Sequence, residues 1–309
     1  MTTDISVFLK GVAMGAANVI PGVSGGTIAL ITGIYERLIN AIKACDLTAF
    51  KLFLARDFKA LWQHIDGRFL AAIGSGVLLS IVTLAKLFEF LLESHERYTM
   101  AFFFGLILLS LYYVAKRITH WTPCVIASLI AGSVIAIGIA LLAPANENNA
   151  FLYVFFCGVI AISSMILPGL SGSFVLIIMG NYALVLGAIS SFTLEVLIPL
   201  ALGCAVGLVL FSHVIAWVFK HFENQTLALM TGFVLGSLVV IWPWKTAVMQ
   251  AVQRPDKPPK EVVESYQWFL PDIASANTWV CAGLMVAGAI TIYLMERFAA
   301  TTTETAEPT

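Results

Sequence analysis

The chain has 309 residues, of which 60% are hydrophobic and only 11% charged. An ordinary soluble domain carries roughly 25% charge, so this composition argues against a soluble enzyme, a disordered protein or a secreted disulfide scaffold, and for a polytopic membrane protein. Lys plus Arg (17) against Asp plus Glu (18) leaves a net charge of −1, which offers no field for nucleic acid.

The apolar runs divide into two halves, 1–143 and 144–309. The first opens with a broken pair at 5–20 and 23–43, read as one re-entrant helical hairpin (5–43) with Pro21-Gly22 at its tip. Asp4 and Lys10 flank its first limb without a cleavage-site pattern, so no cleavable leader is expected. An amphipathic segment at 47–65 follows, then spans at 68–92, 98–115 and 121–143. The second half has a hairpin at 151–190 with Pro168-Gly169 at its tip, and spans at 194–219 and 226–244. A connection at 245–277, whose PDKPPK stretch reads as irregular and solvated, leads to a last span at 278–297. The limbs before Pro21 and Pro168 are short for a crossing, which needs ~20 residues. Irregular backbone at membrane depth survives only when buried in protein or lining a cavity.

The two halves repeat each other. Residues 17–42 and 164–189 align without gaps at an offset of 147, with nine of 26 positions identical. Pro21, Gly22, Ser24, Gly25, Gly33 and Tyr35 meet Pro168, Gly169, Ser171, Gly172, Gly180 and Tyr182. At an offset of 127, Gly76, Gly105 and Ser110-Leu111 meet Gly203, Gly232 and Ser237-Leu238, and Lys86 meets His213. Each half has a hairpin and three crossings, an odd number, so the second half must be inverted relative to the first. The fold expected is therefore an all-α polytopic membrane protein of two inverted-topology repeats, a recurrent transporter plan with the substrate near the midplane.

Orientation follows from Lys and Arg. The N-terminal side carries Lys10, Lys43, Lys51, Arg56, Lys59, Arg68, Lys116, Arg117, Lys220 and Arg297; the other carries Arg97, Lys245, Arg254, Lys257 and Lys260. Ten against five puts both termini in the cytoplasm and the 245–277 connection outside. Trp62, Trp121, Trp242, Trp244 and Trp279 read as headgroup-level anchors. The five cysteines, Cys45, Cys124, Cys157, Cys204 and Cys281, are dispersed and read as small buried packers.

The tips carry the chemistry. After each Pro-Gly comes a Ser-Gly helix start: Ser24, Gly25, Gly26, Thr27 in the first half and Ser171, Gly172, Ser173 in the second. The first four N–H groups of a helix lack internal partners, serine is a good N-cap, and glycine lets a ligand approach the backbone. Two such starts brought together from opposite faces would make one anion cradle, with phosphate the usual guest. A helix start contributes roughly 0.3–2 kcal/mol to an anion, whereas burying a charge costs several. Hydroxyls, several N–H groups and a cation or water must therefore help. The bland reading is a tight turn with local caps; its repetition at matching positions in both halves favours the cradle.

Lys86 and His213, near opposite ends of related spans, are candidates for receiving the anion at two entrances, against snorkelling and an ordinary interfacial histidine. Glu36 and Arg37 lie 12–13 residues beyond Ser24, roughly 18–20 Å along an unbroken helix at 1.5 Å per residue, and are candidates for a gate pair or proton-coupling site. Nothing in the sequence asks for a metal or cofactor.

The runs Ala17-Asn18-Val19-Ile20-Pro21-Gly22-Val23-Ser24-Gly25-Gly26-Thr27 and Thr32-Gly33-Ile34-Tyr35-Glu36 resemble the bacterial polyprenyl-phosphate transporter family called PopT, formerly a domain of unknown function. So do Pro168-Gly169-Leu170-Ser171-Gly172-Ser173 and Trp242-Pro243-Trp244-Lys245. The resemblance covers nearly the whole chain. It implies a carrier in the bacterial cytoplasmic (inner) membrane that returns undecaprenyl phosphate from the outer to the inner leaflet for cell-envelope synthesis. It also implies phosphate-headgroup binding at Ser24–Thr27 and Ser171–Ser173. The residues alone support an anion with an apolar companion, and leave open a proton or Na⁺ as coupling ion and a homo-oligomeric state. Two rivals remain. One is a small-anion channel or exporter. The other is a lipid-pyrophosphate phosphatase of the BacA type, disfavoured because the Ser-Gly segments contain no Arg, Glu or His and Asn18 and Met165 precede the breaks.

Overall fold

A computed structural model of the chain describes residues 4–19, 24–142, 144–254 and 257–304. Among these, the first half contributes α1 (Asp4–Val19), α2 (Gly25–Ile31), α3 (Tyr35–Lys43), α4 (Leu47–Leu54), α5 (Phe58–His64), α6 (Gly67–Ala115) and α7 (Pro123–Ala140). The second contributes α8 (Phe151–Ile166), α9 (Gly172–Ile178), α10 (Tyr182–Ser191), α11 (Leu194–His221), α12 (Glu223–Ser237) and α13 (Ala276–Glu304). Five segments are long and apolar enough to cross a bilayer: Gly67–Leu84, Ser94–Ala115, Pro123–Ala140, Leu194–His221 and Ala276–Leu294. The molecule is a mostly helical, multi-pass membrane protein. Helices satisfy their own backbone groups, which hydrocarbon would not.

Glycines set the helix crossings. A Cβ on Gly11 of α1 would overlap the Ile73 carbonyl of α6, and one on Gly76 would overlap Phe8. Gly158 of α8 and Gly203 of α11 stand in the same relation to Leu200 and Phe155. The remaining two crossings join the halves. Gly105 of α6 and Gly288 of α13 press on Met285 and Phe102, while Gly132 of α7 and Gly232 of α12 press on Leu229 and Leu129. Small residues let backbones touch where lipid gives no hydrophobic drive for association. The repeat-related positions Gly11 and Gly158, Gly76 and Gly203, and Gly105 and Gly232 thus make corresponding contacts. The core lies between the halves: α2 is buried along its whole length and α12 along most of it.

Several elements differ from expectation. The second limb of each hairpin is two helices. α2 gives way to α3 at Thr32–Ile34, and α9 to α10 at Met179–Asn181 with a bend of 118°. Gly33 and Gly180 both have φ of +73°, a left-handed conformation that costs a residue with a Cβ roughly 1–2 kcal/mol. α6 is helical through the expected 93–97 gap except at His95 (φ −140°, ψ 34°). The 226–244 span is the shorter α12, which ends at Ser237.

The 245–277 connection contains an antiparallel hairpin, β1 (Lys245–Arg254) and β2 (Lys257–Trp268), rather than irregular chain. Pro258 and Pro259 fall at the start of β2, where few ladder bonds are lost. The 47–65 segment folds as α4 and α5, which expose Leu47, Phe50, Phe53, Phe58 and Trp62, as interfacial helices do. Trp244 is not a headgroup anchor; it is buried against Ala101 and Cys281. Cys45 and Cys124 are exposed, so not all the cysteines are buried packers.

Candidate functional site

Ser24 is extended (φ −112°, ψ 136°), and its Oγ accepts the Gly26 N–H at 3.1 Å. The Gly25 N–H donates to Asn18 Oδ1 at 2.8 Å, and the Thr27 N–H to the Ser24 carbonyl at 2.9 Å. The chain itself has therefore taken three N–H groups that a helix start leaves open. Ser24 and Thr27 are buried, at 3% and 1% exposure.

This turn faces the second hairpin. Tyr35 donates its hydroxyl to the Ile166 carbonyl at 3.0 Å, and Ser24 Oγ lies 3.4 Å from the Met165 carbonyl oxygen. A Cβ on Gly26 would come within 3.0 Å of the Ile166 oxygen. The partly positive start of α2 thus meets the partly negative end of α8, a favourable pairing of backbone dipoles. One bond joins the first Ser-Gly turn to the second tip directly: the Gly169 N–H donates to Thr27 Oγ1 at 2.9 Å. Gly169 has φ of +84°, and a Cβ there would sit 2.6 Å from the backbone of Phe233 and Val234 on α12. Pro168 is buried beside it; Pro21 and Gly22 lie outside the described residues.

The second turn begins alike and ends differently. Ser171 has nearly the backbone of Ser24 (φ −107°, ψ 128°), yet its side chain does not cap α9. Its Oγ instead shares a 2.8 Å hydrogen bond with Ser173 Oγ. Ser171 is half-buried and Ser173 exposed, while Gly172 is buried. Two substitutions between the repeats explain the change. Gly26 is replaced by Ser173, whose hydroxyl competes for the cap. Asn18 is replaced by Met165, whose thioether is a weak acceptor.

At the far end of α2, Arg117 Nη2 donates to the Ile31 carbonyl at 3.0 Å and Lys10 Nζ to the Thr32 carbonyl at 2.9 Å. Cations there satisfy terminal carbonyls and oppose the negative end of the helix. The related carbonyls of α9 are met without charge, Ile178 by the Ala145 N–H at 2.7 Å and Met179 by the Tyr153 hydroxyl at 2.8 Å. Asn18, Tyr35, Lys10 and Arg117 thus hold the site, roles that were not read from the sequence. The visible signal was a polar side chain on an otherwise apolar limb next to a helix break.

The remaining candidates are dispersed. His213 Nδ1 donates to the Val209 carbonyl of its own helix at 2.8 Å and is exposed. Lys86 lies within α6, but its side chain falls outside the described residues. Glu36 and Arg37 open α3 side by side, with no ion pair between them among the described residues. Arg37 makes a bidentate bridge to Asp66 (2.7 and 3.1 Å) and covers the Phe69 ring at 4.4 Å. The unbroken-helix distance to Ser24 does not apply, since Gly33 intervenes. Gly33, Glu36, Arg37, His64 and Asp66 line a cavity of about 480 Å³. Nearby, Asp46 caps α4 and meets His64 at 3.2 Å; the Ala49 N–H foremost, with His64, holds its carboxyl below the usual range.

The chain matches the family model described as VCA0040-like, undecaprenyl phosphate translocase-like, over residues 14–257. It is 44% identical over 241 residues to a protein of Vibrio cholerae named polyprenyl-phosphate transporter, covering 78% of each chain. It is 36% identical over 253 residues to a Staphylococcus aureus protein of the same name, covering 76% of this chain and 85% of that one. No solved structure matches it. Both relatives are named as transporters, in agreement with a non-enzymatic role. The family suggested by the two Ser-Gly turns is thereby shown: the chain belongs to the undecaprenyl phosphate translocase-like, polyprenyl-phosphate transporter family.

Proposed function

We propose that this protein moves a polyprenyl phosphate between the leaflets of the bacterial inner membrane, returning it from the outer to the cytoplasmic leaflet, with both termini cytoplasmic. The isoprenoid tail stays in lipid while the phosphate enters the meeting point of the two Ser-Gly turns. The halves 1–143 and 144–309 act as inverted repeats that rock against each other. Corresponding glycine contacts in the two halves support that symmetry.

The observation that carries the reading is the Gly169 to Thr27 bond across 142 residues, since it joins the first Ser-Gly turn to the tip of the second hairpin in a buried place. The arrangement is a closed one on the side of the first turn. The second turn is the readier receiver, with hydroxyls of Ser171 and Ser173 not committed to a cap. Phosphate oxygens compete with the mutual Ser171–Ser173 bond for these hydroxyls and with Thr27 for the Gly169 N–H, so binding loosens the contact between halves. Because α2 and α9 have only seven residues each, hydroxyls and N–H groups do more here than helix dipoles.

The test is a proteoliposome assay with labelled undecaprenyl phosphate placed in one leaflet. Wild-type protein accelerates leaflet exchange, and combined Ser24→Ala and Ser171→Ala slows it at least tenfold, about 1.4 kcal/mol on the barrier. Unchanged exchange in the double variant would sink the headgroup assignment, and absence of exchange with folded wild type would sink the transport reading.

A further inference from the structure

A cavity of about 360 Å³ opens where α6 breaks. His95, Glu96, Arg97 and Tyr98 line it from the break, and Trp242 and Lys245 from the segment after α12. The break is held in place. Buried Thr99 donates its hydroxyl toward the carbonyls of Leu91 (3.3 Å) and His95 (3.0 Å), supplying bonds that the interrupted helix loses. The Tyr98 hydroxyl donates to Asn277 Oδ1 at 3.0 Å, and the Arg97 guanidinium lies 5.8 Å from the Phe269 ring centroid. In the segment after α12, Trp244 is buried against Ala101 and Cys281, and the Lys245 amine donates to the Val240 carbonyl. Two loops distant in sequence are thus fixed around one space.

The lining leans positive, with Arg97 and Lys245 against Glu96. Burial pushes the Lys245 amine down to about 8, and Glu96 pulls it partly back. An anion beside a half-buried ammonium favours its charged form, as Glu96 does here. A guanidinium fork matches two phosphate oxygens at once. A phosphate monoester carries about −1.5 to −2 at neutral pH, of which Arg97 and Lys245, offset by Glu96, neutralise part.

We propose that this cavity receives a phosphate monoester headgroup on the membrane face that carries the β1–β2 hairpin, before the headgroup reaches the Ser-Gly turns. The proposal rests on the transport reading above, which supplies such a lipid to this face. Arg97 grips the phosphate bidentately, Lys245 adds a second charge, and Trp242 and Tyr98 border the entrance.

The test uses full-length protein in detergent micelles with tryptophan emission as readout, Trp242→Phe identifying the local signal. The probes are farnesyl phosphate, inorganic phosphate and farnesol. Farnesyl phosphate gives a saturable change at pH 7, and farnesol none. Arg97→Gln raises the apparent Kd at least tenfold, Lys245→Met does likewise, and Arg97→Lys recovers part of the loss, which a misfolded protein would not.

Wild-type affinity falls between pH 7 and 9 as Lys245 loses its proton, a fall absent in Lys245→Met and kept in His95→Gln. In the wild type His95, Glu96, Arg97 and Tyr98 line the cavity together with Lys245. Inorganic phosphate bound as tightly as farnesyl phosphate would assign the site to free phosphate and overturn the lipid proposal. Unchanged Kd in both Arg97→Gln and Lys245→Met would also overturn it. Leaflet exchange on the same preparations separates the two readings. No wild-type exchange with Arg97-dependent binding intact removes transport and leaves the site. Normal exchange with Arg97-independent binding removes the site and leaves transport.

Discussion

Residues 24–27 and 171–174 start from the same local instruction, a serine in extended conformation ahead of a seven-residue helix, and end in different states. The first turn is sealed: Asn18, Ser24 Oγ and the Ser24 carbonyl take its N–H groups, and Thr27 is locked to the other hairpin. In the second, Ser171 leaves its helix uncapped and Ser173 reaches the surface. A repeat can therefore preserve a turn while dividing labour within it. One copy holds the halves together and the other keeps hydroxyls available. The division arises from Gly26 against Ser173 and Asn18 against Met165, changes that leave the Pro-Gly-x-Ser-Gly pattern intact.

The hardest blow to this arrangement falls at Gly169. Gly169→Ala combines a left-handed backbone with a clash against α12, and should cost more than about 2 kcal/mol, enough to lose most folded protein on size exclusion. Gly187→Ala, with open space around it, should behave as wild type. Next is Thr27→Val, which leaves the Gly169 N–H buried and unpaired, at about 1–3 kcal/mol; thermal unfolding in detergent should show a clear drop in midpoint.

Ser24→Ala removes a cap and should cost about 1 kcal/mol by the same measurement. Tyr35→Phe, which removes one hydrogen bond to Ile166, should cost about 0.5–1.5 kcal/mol. Ser171→Ala sharpens the contrast from the other side. It should leave the unfolding midpoint within about 0.5 kcal/mol of wild type, while slowing leaflet exchange. A Ser171→Ala protein as destabilised as Ser24→Ala would show that the turns are not divided in this way.

Much of this was legible along the chain. Apolar runs pointed to the five long apolar helices, because a span must be long and apolar wherever it packs, whereas the run at 226–244 became the shorter α12. Matching Ser-Gly positions located both turns, because a helix start needs a cap. What was misread depended on neighbours. The limbs at 23–43 and 170–190 looked continuous because a single glycine is tolerated in a helix; Gly33 and Gly180 became breaks when Arg117 and Ala145 filled the space beside them. Trp244 looked like an anchor from its type and place, yet α6 and α13 closed over it. The partner of Arg37, Asp66 between α5 and α6, lies 29 positions away and could not be read from the residues beside it in the chain.

The sequence by itself determined the membrane class, the doubling of the chain and the chemical kind of its two turns. These depend on composition and local backbone preference, which act within a few residues. Only the tertiary structure decided which turn is sealed, where the carbonyls of Met165 and Ile166 lie, and which cations meet the breaks. The contacts of Ser24 with Met165, Tyr35 with Ile166 and Arg117 with Ile31 join residues more than 80 positions apart, and a polar group in a buried place takes whichever partner the packing delivers.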